Sequence, residues 1–142
     1  MHEDGPERSP RLLVAEDHRI NRLLIECILK SLGYRTVMVE NGREALDSVR
    51  ASLSRTEAAP AHEAGSFDAV LLDLEMPVMD GLQAASAIRA LGGDAEHLPL
   101  LALTAHVAHE AEADARRHGF NSFVSKPVTA AELETALREL IP

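Results

Sequence analysis

Tryptophan is absent from this chain, and aromatic residues make up only 3% of it. Its core must therefore be built from Leu, Val, Ile and Ala. There is one cysteine, Cys27, so no intrachain disulfide can form. The reducing cytosol is the natural compartment for such a chain. Cys27 falls inside an apolar helical pattern and reads as a small buried hydrophobe. No apolar run approaches the length of a membrane span. The first ten residues, MHEDGPERSP, lack the apolar stretch of a secretory signal. Basic residues are also scarce, 14 Lys and Arg against 23 Asp and Glu, for a net charge of −9. That excludes the basic stripe of a nucleic-acid binder. It also disfavours direct contact with an anionic membrane. An acidic balance suits divalent cations or basic partner patches.

What remains is ordinary globular material, 142 residues with 46% hydrophobic and 26% charged residues. The length favours one domain with a core that needs no staples. Residues 1–10 are polar, contain two prolines and read as a loose, disordered lead-in; the domain is expected over 11–142. Residues 11–15 (RLLVA) form a short apolar run that stops at Glu16 and Asp17, the pattern of a buried strand. Over 18–32, Ile20, Leu23, Leu24, Cys27, Ile28 and Leu32 recur at three and four, which predicts a helix with those residues on its buried face. Gly33 stops it. Residues 35–39 (RTVMV) predict a strand and 43–53 a helix.

Residues 54–66 have no apolar periodicity and read as an extended loop. The remaining strands fall at 67–72, 98–103 and 121–125, alternating with helices at 82–91, 108–118 and 130–140. Gly92 to Asp94 reads as a loop, and Gly119 as a helix stop. Thr129 is placed to cap the last helix, with Glu132 as its capping-box partner. Strand then helix, five times over, predicts a doubly wound α/β sandwich on a five-stranded parallel sheet. Its crossovers should be right-handed.

In an open α/β sheet, ligands sit beyond the carboxyl ends of the strands. This sequence places Glu16 and Asp17 after the first strand and Asp73 at the end of the third. Thr104 follows the fourth and Lys126 the fifth. Asp73 is the instructive member, because it sits inside the apolar run VLLDL, where a lone charge is costly. Three carboxylates close together repel one another unless a divalent cation joins them. Oxygen donors favour Mg²⁺. A lysine and a hydroxyl aimed at the same point complete a site for a phosphoryl group beside a carboxylate. Phosphoryl transfer needs mainly positioning and charge stabilisation. The carboxylate of Asp73 can itself be the nucleophile and form an acyl phosphate.

The pieces LLVAEDHRIN (12–21), FDAVLLDLEMPVMDG (67–81), LLALTA (100–105) and SFVSKP (122–127) stand in an order that resembles the receiver domains of two-component response regulators. The likeness covers roughly residues 11–140. DLEMPVMDG and ALTAH look most like receivers of hybrid histidine kinases. The resemblance implies a flavodoxin-like fold with strand order 2-1-3-4-5. It implies that Asp73 is the phosphoacceptor, that Asp17 ligates Mg²⁺ directly, and that Glu16 helps to hold the metal. The backbone carbonyl of Glu75 would be a further ligand. Thr104 and Phe123 would be the paired conformational switch, Lys126 the lysine bonded to the phosphoryl oxygen, and Pro127 the residue after an often-cis peptide. Glu75 and His106, each two residues beyond a site residue, would tune the lifetime of the acyl phosphate. The phosphoryl donor would be a histidine kinase or histidine phosphotransfer protein. A downstream target would read the face made by helix 4, strand 5 and helix 5.

The sequence departs from the common pattern in its Glu16-Asp17 pair, in His18 where Asn is frequent, and in the long loop before the third strand. Other readings fit less well. A haloacid-dehalogenase-type phosphatase would carry its nucleophile near the first strand. A flavodoxin-like cofactor binder would have a Gly/Ser/Thr-rich loop where EDHRIN stands. The seven histidines are scattered, and His106 and His109 lack the spacing of a zinc pair. Glu110, Glu112 and Asp114 read as a solvated helix face. A docking module that works without phosphorylation is the rival from another class. The chain is expected to be a signalling phosphoacceptor rather than a turnover enzyme. It reads as a stand-alone cytoplasmic regulator, a relay intermediate, or part of a membrane-bound hybrid kinase. The start at Met1 favours the first of these and the hybrid-like motifs the last.

Overall fold

The computed structural model describes residues 9–53, 67–105 and 109–141. The expected lead-in over 1–8, the loop over 54–66 and His106 lie outside the described residues. Ser9 and Pro10, expected in the loose lead-in, are fastened: their carbonyls accept hydrogen bonds from Arg35 Nε and N, both at 2.9 Å.

Among the described residues, five strands alternate with five helices. They are β1 (Arg11–Ala15), α1 (Arg19–Ser31), β2 (Arg35–Val39), α2 (Gly42–Leu53), β3 (Ala69–Asp73), α3 (Gly81–Ala90), β4 (Leu100–Thr104), α4 (His109–Arg117), β5 (Ser122–Ser125) and α5 (Ala130–Leu140). The strands are all parallel, in the order β2-β1-β3-β4-β5. The expected fold is therefore the observed one. The 92–94 loop is in part a 3₁₀ turn, Gly93–Glu96.

The near-continuous apolar runs follow from two covered faces. Leu13, Ala15, Val70, Leu72, Leu100 and Ala102 pack with buried residues of α2, α3 and α4. Leu12, Val14, Ala69, Leu71, Leu101 and Leu103 pack on the other face against α1 and α5. Alternation along each strand sends neighbours to opposite layers. Helix ends follow local chemistry. Asp80 caps α3 in a full capping box with Gln83, and Thr129 accepts from the Glu132 amide at α5. Gly33 and Gly119 follow α1 and α4 at φ 97° and 110°.

The buried face of α1 is not the expected one. Ile25 and Leu29 are buried, while Ile20, Leu23, Leu24 and Cys27 are exposed. Apolar residues occupy well over half the circumference of this helix, and the sheet covers only one side. The interface takes the arc centred on Ile25 and Leu29. Cys27, turned to the opposite arc, is not a core residue. Among the described residues, no helix is long and apolar enough to cross a membrane.

Candidate phosphoacceptor site

Four strand ends converge at the carboxyl edge of the sheet. β1 and β3 are adjacent, so Glu16 and Asp17 leave β1 beside Asp73, the last residue of β3. β4 lies next to β3 and brings Thr104; β5 lies next to β4 and brings Lys126. The Lys126 amide donates to the Thr104 carbonyl at 2.8 Å, which continues the ladder to the site.

Lys126 is the electrostatic centre. Its Nζ donates to Asp73 Oδ2 at 2.7 Å and lies 2.9 Å from Glu16 Oε1, an ion pair rather than an aligned hydrogen bond. Asp73 Oδ1 accepts from the Glu75 amide at 3.1 Å. Glu16 Oε2 accepts from the His18 amide at 3.0 Å. Glu16 is fully buried, and Asp73 and Thr104 nearly so, at 3% and 5% exposure. Burial pushes the Glu16 carboxyl above its ordinary range, and the Asp73 charge adds to this. Lys126 and the His18 amide pull the other way without cancelling it. For Lys126, burial works against the ammonium, but the close contacts and charges of Asp73 and Glu16 outweigh it and raise its pKa.

One lysine does not neutralise three acids. Carboxylate oxygens of Glu16, Asp17 and Asp73 all lie within 4.8 Å of one another. Asp17 Oδ1 is buried with no hydrogen-bond partner. A buried oxygen of that kind, in an all-oxygen acidic set, fits a hard divalent cation.

Glu16, Asp17, Asp73 and Lys126 come together, and Thr104 ends β4, the strand beside that of Asp73. Glu75 follows in the β3–α3 loop with its side chain exposed. The Lys126–Pro127 peptide is cis. Phe123 pairs with Ala102 while Thr104 pairs with Ser125, so Thr104 and Phe123 are diagonal neighbours on the α4 side of the sheet. Phe123 packs half-buried beneath the Arg116 guanidinium, 4.8 Å from its ring centroid.

Three residues beyond the expected set support the site. Arg22 Nη1 donates to the carbonyls of Glu16 and Asp17 at 3.0 and 3.2 Å, pinning the loop that carries both acids. Gly81 lies against the backbone of Asp73, where a Cβ would approach the Asp73 carbonyl to 2.4 Å. The Gly42 amide donates to the Met79 carbonyl at 2.9 Å and holds the β3–α3 loop. Gly81 in MDG carried a turn signal; nothing in the sequence marked Arg22.

The pattern described as the response regulator receiver domain matches residues 12–138. The chain belongs to that family. The receiver is 34% identical over 128 residues to the sensor protein GacS of Pseudomonas syringae pv. syringae, covering 89% of this chain and 13% of that protein. It is 33% identical over 134 residues to the sensory/regulatory protein RpfC of Xanthomonas campestris pv. campestris, covering 94% of this chain and 17% of that protein. The chain thus spans a small part of the length of these relatives. Among solved structures it resembles the receiver domain of the sensor histidine kinase PA1611 from Pseudomonas aeruginosa, with a TM-score of 0.75 and 32% identity. That match covers 94% of this chain and 98% of that one. The PA1611 receiver holds a magnesium ion in its active-site cleft.

Proposed function

We propose that this receiver accepts a phosphoryl group from a phosphohistidine onto the carboxylate of Asp73, in two-component or phosphorelay signalling. One observation carries the reading: three carboxylates crowd together at the strand ends, two of them paired with Lys126, and a buried Asp17 oxygen among them lacks a partner. Glu16, Asp17 and Asp73 would hold Mg²⁺, with the Glu75 carbonyl as a further ligand. The cation would neutralise charge on the phosphoryl oxygens. An Asp73 oxygen attacks phosphorus, the P–N bond breaks, and its electron pair returns to the donor imidazole. Lys126 and the Thr104 hydroxyl would hold phosphoryl oxygens. Glu75, and His106 two residues beyond Thr104, would set how fast water hydrolyses the acyl phosphate, returning the Asp73 carboxylate and releasing inorganic phosphate.

The shared sheet face of Thr104 and Phe123 supports their role as a coupled switch. Movement of Thr104 toward the phosphoryl group opens space that Phe123 can follow. The face of α4, β5 and α5 would then shift between two populations. The donor, a histidine kinase or histidine phosphotransfer protein, would reach Asp73 across α1. Leu24 and Ile25 share a cavity of about 240 Å³ with Glu16 and Lys126, so the exposed stripe of Ile20, Leu23, Leu24 and Cys27 flanks the site. The reaction would take place in the cytoplasm. Neither a turnover reaction on a small molecule nor contact with nucleic acid or membrane is part of this reading.

Intact-protein mass after incubation with acetyl phosphate tests it. The expected result is a single Mg²⁺-dependent phosphoryl adduct that Asp73→Asn lacks while keeping the same circular dichroism spectrum. Stoichiometric labelling of the Asn variant would exclude Asp73 as the acceptor. No adduct together with no metal binding would leave a docking module that works without phosphorylation.

A further inference from the structure

Arg22 lies in the first turn of α1, and its side chain turns back over the start of the helix, the direction helical side chains take. Its amide donates to the His18 carbonyl at 2.8 Å, and its Nη1 donates to the carbonyls of Glu16 and Asp17 at 3.0 and 3.2 Å. One residue thus binds three successive carbonyls of the β1–α1 loop. The usual side-chain cap is missing here: His18, the N-cap residue, makes no side-chain cap hydrogen bond. Arg22 holds the loop from the carbonyl side instead. The other arm of its guanidinium does less. Nη2 lies 3.9 Å from Glu40 Oε2, and the Glu40 side chain is 67% exposed, a pair that contributes little. The loop so held carries two of the three clustered acids. Asp17 Oδ1 has no hydrogen bond to fix its aim, so the backbone that carries it must do so.

We propose that Arg22 is a positioning residue for the divalent cation. It fixes the backbone of Glu16 and Asp17 so that their carboxylates meet that of Asp73 at one centre. The proposal rests on the reading of this cleft as a Mg²⁺ site. Charge and positioning predict opposite signs for the loss of Arg22. The guanidinium is itself a cation beside the acids. Acting through charge alone, its removal would relieve repulsion and tighten Mg²⁺ binding. Acting through the loop, its removal weakens Mg²⁺ binding even though an opposing charge has gone. Outer residues that orient metal ligands commonly carry an effect of that second kind.

The test titrates Mg²⁺ into the full ¹⁵N-labelled chain and reads the Kd from amide shifts. Arg22→Met keeps an apolar stem but removes the donor and the charge, and should weaken Mg²⁺ binding about tenfold. Arg22→Lys keeps the charge and offers a donor on a shorter stem, and should restore most of the loss, leaving binding about threefold weaker than in the native chain. Glu40→Gln removes only the exposed partner and should change the Kd by less than about twofold. Acetyl-phosphate labelling gives a second readout. Arg22→Met should need about tenfold more Mg²⁺ for half its maximal rate, while its rate at saturating Mg²⁺ stays near the native one. Equal or tighter Mg²⁺ binding by Arg22→Met would overturn the proposal. So would a lowered urea midpoint with an unchanged Kd, the mark of a merely structural role. If Arg22→Met does not fold, Arg22→Lys decides: weaker binding than the native chain supports the proposal, and equal or tighter binding overturns it. A native chain that binds no Mg²⁺ sinks the reading of the cleft as a metal site and the proposal with it. Native binding without loss in Arg22→Met sinks the proposal alone.

Discussion

Gly81 shows how little tolerance the site has at a single residue. A Cβ there would sit 2.4 Å from the Asp73 carbonyl and 2.9 Å from Leu74 Cα, both backbone atoms that cannot swing away. Gly81→Ala should therefore cost about 1–3 kcal/mol by overpacking. It should also slow adduct formation by displacing Asp73. Urea unfolding and a mass time course would measure the two effects, and unchanged values would show that the loop yields freely. Val78 has the opposite character. It is a β-branched residue at φ 71°, exposed by 80%, so strain at this position is offset by little packing. Val78→Asn should raise stability by about 1 kcal/mol, because Asn tolerates the left-handed region. The same urea titration reads it. Asp73, Glu16, Asp17, Thr104 and Lys126 were legible in the sequence because each interrupts or ends an apolar run. Arg22 and Gly42 were not, since their partners are backbone carbonyls made available only by the fold.

At the scale of elements, Arg89 of α3 is the main tie at the amino end of the sheet. Its Nη1 donates to the carbonyls of Ala95 and Leu98 at 2.8 and 2.7 Å. Its Nη2 donates to the Gly119 carbonyl at 2.6 Å and to Asn121 Oδ1 at 2.9 Å. One guanidinium thus joins α3, the 3₁₀ turn and the approaches to β4 and β5. Arg89→Met should leave several partly buried carbonyls unpaired and cost about 3 kcal/mol in urea unfolding. A loss below about 0.5 kcal/mol would show that water replaces it. Tyr34, just ahead of β2, reports the packing of α5. Burial raises its pKa above the ordinary 10.0, Arg138 lowers it, and Glu134 raises it. Between 10.0 and the raised folded value the unfolded chain has lost a proton that the folded chain keeps. Stability should therefore fall as pH rises through that interval. Tyr34 is the only tyrosine and Trp is absent, so phenolate absorbance isolates its titration. A midpoint at or below that of a free tyrosine would contradict the packing. Helix and strand positions were legible from periodicity. The buried side of α1 was not, because apolar residues surround much of that helix and only the sheet selects among them.

For the whole molecule, a divalent cation held by the acidic cleft would couple its binding to folding. A cation that binds only the folded chain stabilises it by about 2.7 kcal/mol at a hundredfold excess over its Kd. Mg²⁺ should raise the melting temperature accordingly. Asp17→Asn should remove most of that rise, because it changes the carboxylate whose oxygen lacks a partner. Sodium at matched ionic strength is the control for general screening of the −9 charge. An equal rise with sodium, or in the Asp17→Asn protein, would mean that no specific site is filled.

By itself the sequence determined the alternation of five strands and five helices, the burial of the sheet on both faces, and the set of residues at the strand ends. These depend on local periodicity and on where apolar runs stop, and both are written along the chain. Only the tertiary structure decided that one lysine would bridge Asp73 and Glu16 and that Asp17 would keep a buried oxygen unpartnered. It also decided that α1 would turn Cys27 outward. Those outcomes depend on the distances between elements far apart in the chain. Such distances follow from how the layers pack, which no local pattern encodes.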